Sequence, residues 1–134
     1  MRTLNEIIVH CTATPEGREV SVSEIRRWHK AKGWADIGYH YVVGLDGSIH
    51  VGRPLATAGA HCAGHNANSI GVVYVGGLAK DGKTAKDTRT EAQKRSLRVL
   101  IAGLKKEFGI TKVSGHRDYA AKACPSFDVH KENY

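Results

Sequence analysis

Glu6-Ile7-Ile8-Val9-His10-Cys11 is the stretch that decides how the rest of the chain is read. It is short, apolar and β-branched, as expected of a strand buried on both faces, and its last residues switch abruptly to a histidine and a thiol. A strand of this kind needs parallel or mixed neighbours. Downstream, Gly38-Tyr-His-Tyr-Val-Val-Gly44 is aromatic and β-branched, and Asp46-Gly47 marks a tight turn before Ser48-Ile-His-Val51, so this region predicts a hairpin. Ser69-Ile-Gly-Val-Val-Tyr-Val75 is a further strand, closed by Gly76-Gly77, and Lys112-Val-Ser114 a last short one.

Helical periodicity separates these strands. Ser21 and Glu24 form a capping-box pattern, after which Val22, Ile25, Trp28 and His29 share a face until Gly33. Thr90 and Gln93 repeat the pattern before a stripe of Leu97, Leu100, Ile101, Leu104 and Phe108 that ends at Gly109. Thr12 to Val20 and the Lys-, Asp-, Gly- and Thr-rich run from Leu78 to Arg89 predict loops, and Gly115 to Tyr134 shows little apolar periodicity. No repeat or linker divides the chain. The expectation is an α/β (mixed α+β) fold of one domain over residues 1–134, with a central mixed β-sheet flanked by helices.

Composition fits that expectation: 134 residues, 41% hydrophobic and 25% charged, are ordinary for a globular domain. No stretch reaches the roughly 18 to 20 apolar residues of a membrane span, and Met1-Arg2-Thr3 runs into a strand with no signal peptide. Three cysteines, Cys11, Cys62 and Cys124, are too few and too odd for a disulfide framework. A protein made in the cytoplasm and monomeric is expected. The net charge of +7 points to an anionic partner. Nucleic acid is set aside because no recognition motif is present and the aromatics do not interleave with the basic residues. Lys94, Arg95, Arg98, Lys105 and Lys106 also read simply as a solvated helix face.

Eight histidines are many for this length, and their positions carry the chemistry. His10 ends a buried strand, His116 follows a strand and a glycine, and Cys124 lies in His116-Arg-Asp-Tyr-Ala-Ala-Lys-Ala-Cys124. Two imidazoles and a thiolate are the ligand count of a catalytic zinc, which keeps its fourth position open. On spacing alone, His10 reads equally as a strand-end residue satisfied by backbone, and Cys124 as a small buried thiol. A cysteine peptidase built on Cys124 or Cys11 with a histidine is the competing enzyme class.

A longer series of blocks narrows the choice. Val9-His-Cys-Thr-Ala-Thr14, Ile25-Arg-Arg-Trp-His-Lys30 with Gly33-Trp34, Gly38-Tyr-His-Tyr41, Gly59-Ala-His61, Asn66-Ala-Asn-Ser-Ile-Gly71, Gly115-His-Arg-Asp118 and Lys122-Ala-Cys-Pro-Ser-Phe-Asp128 together resemble the type 2 N-acetylmuramoyl-L-alanine amidases. That family includes phage endolysins and is similar to peptidoglycan-recognition proteins. The resemblance runs in order from Ile7 to Asp128. It implies a Zn2+ cofactor held by His10, His116 and Cys124, catalytic roles for Tyr39 and Lys122, and substrate contacts at His61 and Asn66. It also implies peptidoglycan as substrate, cut between glycan and stem peptide once the protein reaches the wall by release or export. Branches of the family differ at the position of Lys122. A peptidoglycan-binding module without catalysis is disfavoured because all three ligand positions hold competent residues. Each ligand histidine is expected to give its other ring nitrogen to a hydrogen-bond partner. His40 should point away from Tyr39, toward the core. Since the chain continues only six residues past Asp128, no separate wall-targeting domain is expected.

Overall fold

The computed structural model describes residues 1–134. Five strands form one mixed sheet: β1 (Glu6–Cys11), β3 (Tyr41–Val43), β4 (Ile49–Val51), β5 (Ser69–Tyr74) and β7 (Lys112–Gly115), in the order β4-β3-β5-β1-β7. β1 runs parallel to both β5 and β7, β3 parallel to β5, and only the β3–β4 hairpin is antiparallel. β2 (Thr14–Pro15) and β6 (Gly77–Leu78) pair as a small second sheet. The loop expected from Thr12 to Val20 therefore contains one two-residue strand and the one from Leu78 begins in the other, both too short to leave a periodic signal.

Every residue of β1 and β5 is buried, which explains their unbroken apolar composition. Alternation then divides the core in two. Ile7 and Val9 with Ile70, Val72 and Tyr74 face α2 (Glu91–Phe108) and pack on Leu97, Ile101 and Leu104. Val42, Val73 and Val75 face the other way, toward Ile25 of α1 (Val22–Ala31) and Ile37. His10 has the opposite parity to Val9 and lies beside Val73 in the register, so it emerges on the α1 side.

The helix ends follow their local chemistry. Thr90 and Gln93 form a complete capping box, and Gly109 closes α2 in the left-handed conformation at φ 66°. At α1 only half of the expected box forms. Ser21 accepts from the Glu24 amide, while the Glu24 carboxylate pairs with Arg18 at 2.6 Å. The Gly38–Gly44 strand is also shorter than its composition suggests, because the chain bends at Gly38 and His40 and the regular ladder begins only at Tyr41.

Candidate active site

The register of β1 against β7 brings the first two candidate residues together. Gly115 pairs with Val9, so His116 leaves the sheet beside His10, with ring centroids 4.7 Å apart. The following chain doubles back: the Arg117 amide donates to the Cys124 carbonyl (2.8 Å), and the Cys11 amide donates to the Cys124 sulfur (3.2 Å). Tyr74 Oη anchors the same loop by donating to the Pro125 carbonyl at 2.6 Å. The result is that one donor atom from each of His10, His116 and Cys124 lies within 4.8 Å of the others, with His10 Nδ1 3.9 Å from Cys124 Sγ.

The donor set suits zinc. At ordinary Zn–N and Zn–S lengths, tetrahedral ligand atoms stand roughly 3.3 to 3.6 Å apart, so no side of the triangle, at most 4.8 Å long, needs to contract by more than about 1.5 Å. Both imidazoles are neutral at pH 7 and present lone pairs. Burial, then the neighbouring His61, His116 and Lys122, hold His10 well below the usual histidine range, and burial and Lys122 lower His116. The two thiols share a contact that raises Cys124 and lowers Cys11 to about 7. Without a cation Cys11 is therefore the readier of the two to ionise. A cation among His10, His116 and Cys124 would draw the negative charge to Cys124.

The ring of Tyr39 lies 5.1 Å from that of His10 and 5.4 Å from that of His29. Burial raises its phenol, which keeps it protonated and able to donate. His29 fixes this segment by accepting from the Gly38 amide at 2.8 Å. Lys122 is exposed and lines, with Trp34, Asn66, His116 and Tyr119, a groove of about 410 Å³. The structure thus brings His10, His116, Cys124, Tyr39 and Lys122 to one end of the sheet.

His61 and Asn66 are placed differently from the substrate contacts that the sequence suggested. Both border the groove, yet His61 is only 7% exposed and its ring is engaged at both nitrogens. Nδ1 meets His10 Nε2 at 2.8 Å and Nε2 meets Ser69 Oγ at 3.2 Å. Asn66 Oδ1 accepts from the amides of His61 and Cys62, each at 3.0 Å, and so holds the turn that carries His61. The expected partner thus exists for His10, whereas the other ring nitrogen of His116 has none. Asp118 instead binds its own segment, accepting from the Gly115 amide at 2.9 Å and from His130 at 2.8 Å.

His40 is fully buried, as alternation with Tyr39 indicated. Its Nδ1 accepts from the Gly71 amide at 3.0 Å. Sequence reasoning missed Arg2, whose guanidinium donates to the carbonyls of Leu55 (2.8 Å) and Ser69 (2.8 Å) and ties the loops behind the site together. Nothing in an N-terminal arginine signals such a reach.

Comparison with known proteins agrees with this architecture. The family description "N-acetylmuramoyl-L-alanine amidase" matches residues 1–127. The endolysin of Enterobacteria phage T3 is 44% identical over 129 residues, covering 96% of this chain and 85% of that protein. The endolysin of Klebsiella phage KP32 is 42% identical over 127 residues, covering 95% and 83%. Among solved structures, the N-acetylmuramoyl-L-alanine amidase LysC from Clostridium intestinale URNW superposes with a TM-score of 0.85 at 29% identity, covering 98% of this chain and 83% of that one. With a family match across nearly its whole length and a fold shared with a solved amidase, this chain belongs to the N-acetylmuramoyl-L-alanine amidase family.

Proposed function

We propose that residues 1–134 act as one catalytic domain that hydrolyses the amide between N-acetylmuramic acid and L-alanine in bacterial peptidoglycan, with one zinc ion held by His10, His116 and Cys124. The observation that carries this reading is the convergence of those three donor atoms within 4.8 Å, beside a groove that Lys122 also lines. When bound, zinc supplies a Lewis acid that polarises the scissile carbonyl and makes water acidic enough to attack at neutral pH.

The protein's own groups do the rest. Tyr39, kept protonated by burial, donates a hydrogen bond to the charge that develops on the carbonyl oxygen. Lys122 adds a positive charge close enough to depress the proton affinity of both His10 and His116, and serves the same oxyanion. The groove between the 60–66 and 116–122 segments receives the junction of sugar and peptide. The excess of positive charge draws the enzyme to the anionic wall. Like the phage endolysins it resembles, the protein reaches that wall by release or export from the cytoplasm, and no helix is long and apolar enough to cross a membrane.

The 3.9 Å approach of Cys124 to His10 also suits a thiol hydrolase. Against it, Cys124 is raised rather than activated, and the lowered thiol of Cys11 is buried away from substrate. Metal analysis tests the choice. The purified protein should carry one zinc, and His116→Ala should lose metal and activity together. Stoichiometric zinc in that variant refutes the ligand set, and activity that survives chelation but not iodoacetamide favours the thiol.

A further inference from the structure

We infer that His61 is a positioning residue which, through a directed hydrogen-bond chain ending at a backbone carbonyl, fixes His10 in the one tautomer able to offer Nδ1 as a metal ligand. The inference rests on the zinc reading of His10, His116 and Cys124 given above.

The direction of the chain follows from its far end. Ser69 Oγ lies 2.7 Å from the His65 carbonyl, which can only accept, so the serine hydrogen points there. Ser69 Oγ must then accept from His61, whose Nε2 at 3.2 Å carries the hydrogen. A neutral imidazole has one N–H, so His61 Nδ1 is a bare lone pair and accepts from His10 Nε2 at 2.8 Å. His10 Nδ1 is left unprotonated, and that is the atom 3.9 Å from Cys124 Sγ. One carbonyl thus sets the hydrogen positions of three side chains in succession.

The ring of His61 is also held in place sterically. A β-carbon on Gly71 would come 2.7 Å from His61 Cγ and Cδ2, and one on Gly59 2.7 Å from Cδ2. Neither glycine has a positive φ, so their absence of a side chain serves space rather than backbone freedom. Gly59-Ala-His61 and Ser69-Ile-Gly71 therefore supply the ring, the two walls of its slot and its hydrogen-bond acceptor. Asn66 Oδ1, bound to the His61 amide, sets where the ring enters.

Four proteins test this: wild type, His61→Phe, His61→Asn and Ser69→Ala. In each, imidazole nitrogen shifts of His10 are recorded by NMR on the metal-free form at pH 7. Zinc affinity is then measured by competition with a chelator, and thermal unfolding is followed without metal. The metal-free wild type should show His10 protonated at Nε2 and bare at Nδ1. His61→Phe keeps the ring but not the acceptor. It should mix the tautomers and weaken zinc binding about 10- to 100-fold, the usual effect of removing a partner of a metal-bound histidine. His61→Asn puts an amide oxygen near the place of Nδ1 and should recover most of the affinity. Ser69→Ala should fall between.

A folded His61→Phe protein with wild-type affinity overturns the inference, and so does a wild-type His10 protonated at Nδ1. Should His61→Phe fail to fold, Ser69→Ala decides, and unchanged tautomer and affinity there overturn it equally. Failure of the zinc reading looks different: the wild type itself binds no zinc, whatever the tautomer of His10.

Discussion

Gly71→Ala probes the site without touching any group that reacts. The backbone at this position accepts alanine, and its amide and carbonyl can keep their bonds to His40 Nδ1 (3.0 Å) and the His40 amide (2.9 Å). The added methyl, however, would lie 2.7 Å from two carbons of the His61 ring and 3.0 Å from Nε2, against an ordinary contact of 3.4 to 4 Å. The ring must move by about 0.7 Å or more, and Gly59 limits its retreat. Bonds of 2.8 Å to His10 and 3.2 Å to Ser69 do not survive a shift of that size in the wrong direction. Overpacking and two weakened buried hydrogen bonds together cost about 2–4 kcal/mol. For a domain of this size that is a fall in Tm of roughly 10 °C. Zinc affinity should drop about 10-fold or more as His10 loses its partner. Thermal unfolding of the metal-free protein and a chelator competition read the two effects separately. A Gly71→Ala protein with wild-type Tm and wild-type metal affinity would refute the slot.

Other perturbations separate chemistry from scaffold. Tyr39→Phe keeps the ring that packs beside His10 and His29, so fold and zinc content should persist while turnover of a soluble muropeptide drops about 10²- to 10³-fold. Normal turnover with normal metal returns Tyr39 to a packing role. Lys122→Ala should act similarly, and the double variant should lose less than the two losses combined if both groups serve one transition state. Burial first of all holds His29 and His40 at about 4 and His61 at about 3, below the ordinary value. The unfolded chain therefore binds more protons below pH 6.5, and stability present above that pH is lost as pH falls toward 4. Each such histidine steepens the slope by about 1.4 kcal/mol per pH unit. Urea unfolding of the metal-free protein at pH 7, 6 and 5 should show this, and a flat profile contradicts it.

Much of this was legible in the sequence because the signals were local. Ile7-Ile8-Val9 announced a doubly buried strand, Thr90 with Gln93 and Gly109 bounded α2 within a residue, and Asp46-Gly47 marked the hairpin. The convergence of His10, His116 and Cys124 was not local. It depends on β7 pairing with β1 in a register that spacing cannot reveal, and only the succession of family blocks pointed to it. The assignment of His61 shows the limit most clearly. A histidine in a Gly-, Ala- and Asn-rich loop has the composition of a substrate contact, while its burial between Gly59 and Gly71 exists only once β5 is folded beneath it. The same holds for Glu6, a charged residue at the start of a strand. It is buried because Ser114 and Tyr119, more than a hundred residues away, both donate to its carboxylate.

The central claim concerns which bond is cut, and the ends created by the reaction report it directly. Purified glycan-linked muropeptide is incubated with the zinc-loaded protein, and the products are resolved by mass spectrometry. The account predicts stem peptides with a free α-amine on L-alanine together with intact glycan, a yield that disappears with chelator and returns with added zinc. New reducing sugar ends, peptides cut between amino acids, or release of L-alanine amines undiminished by metal removal would contradict it.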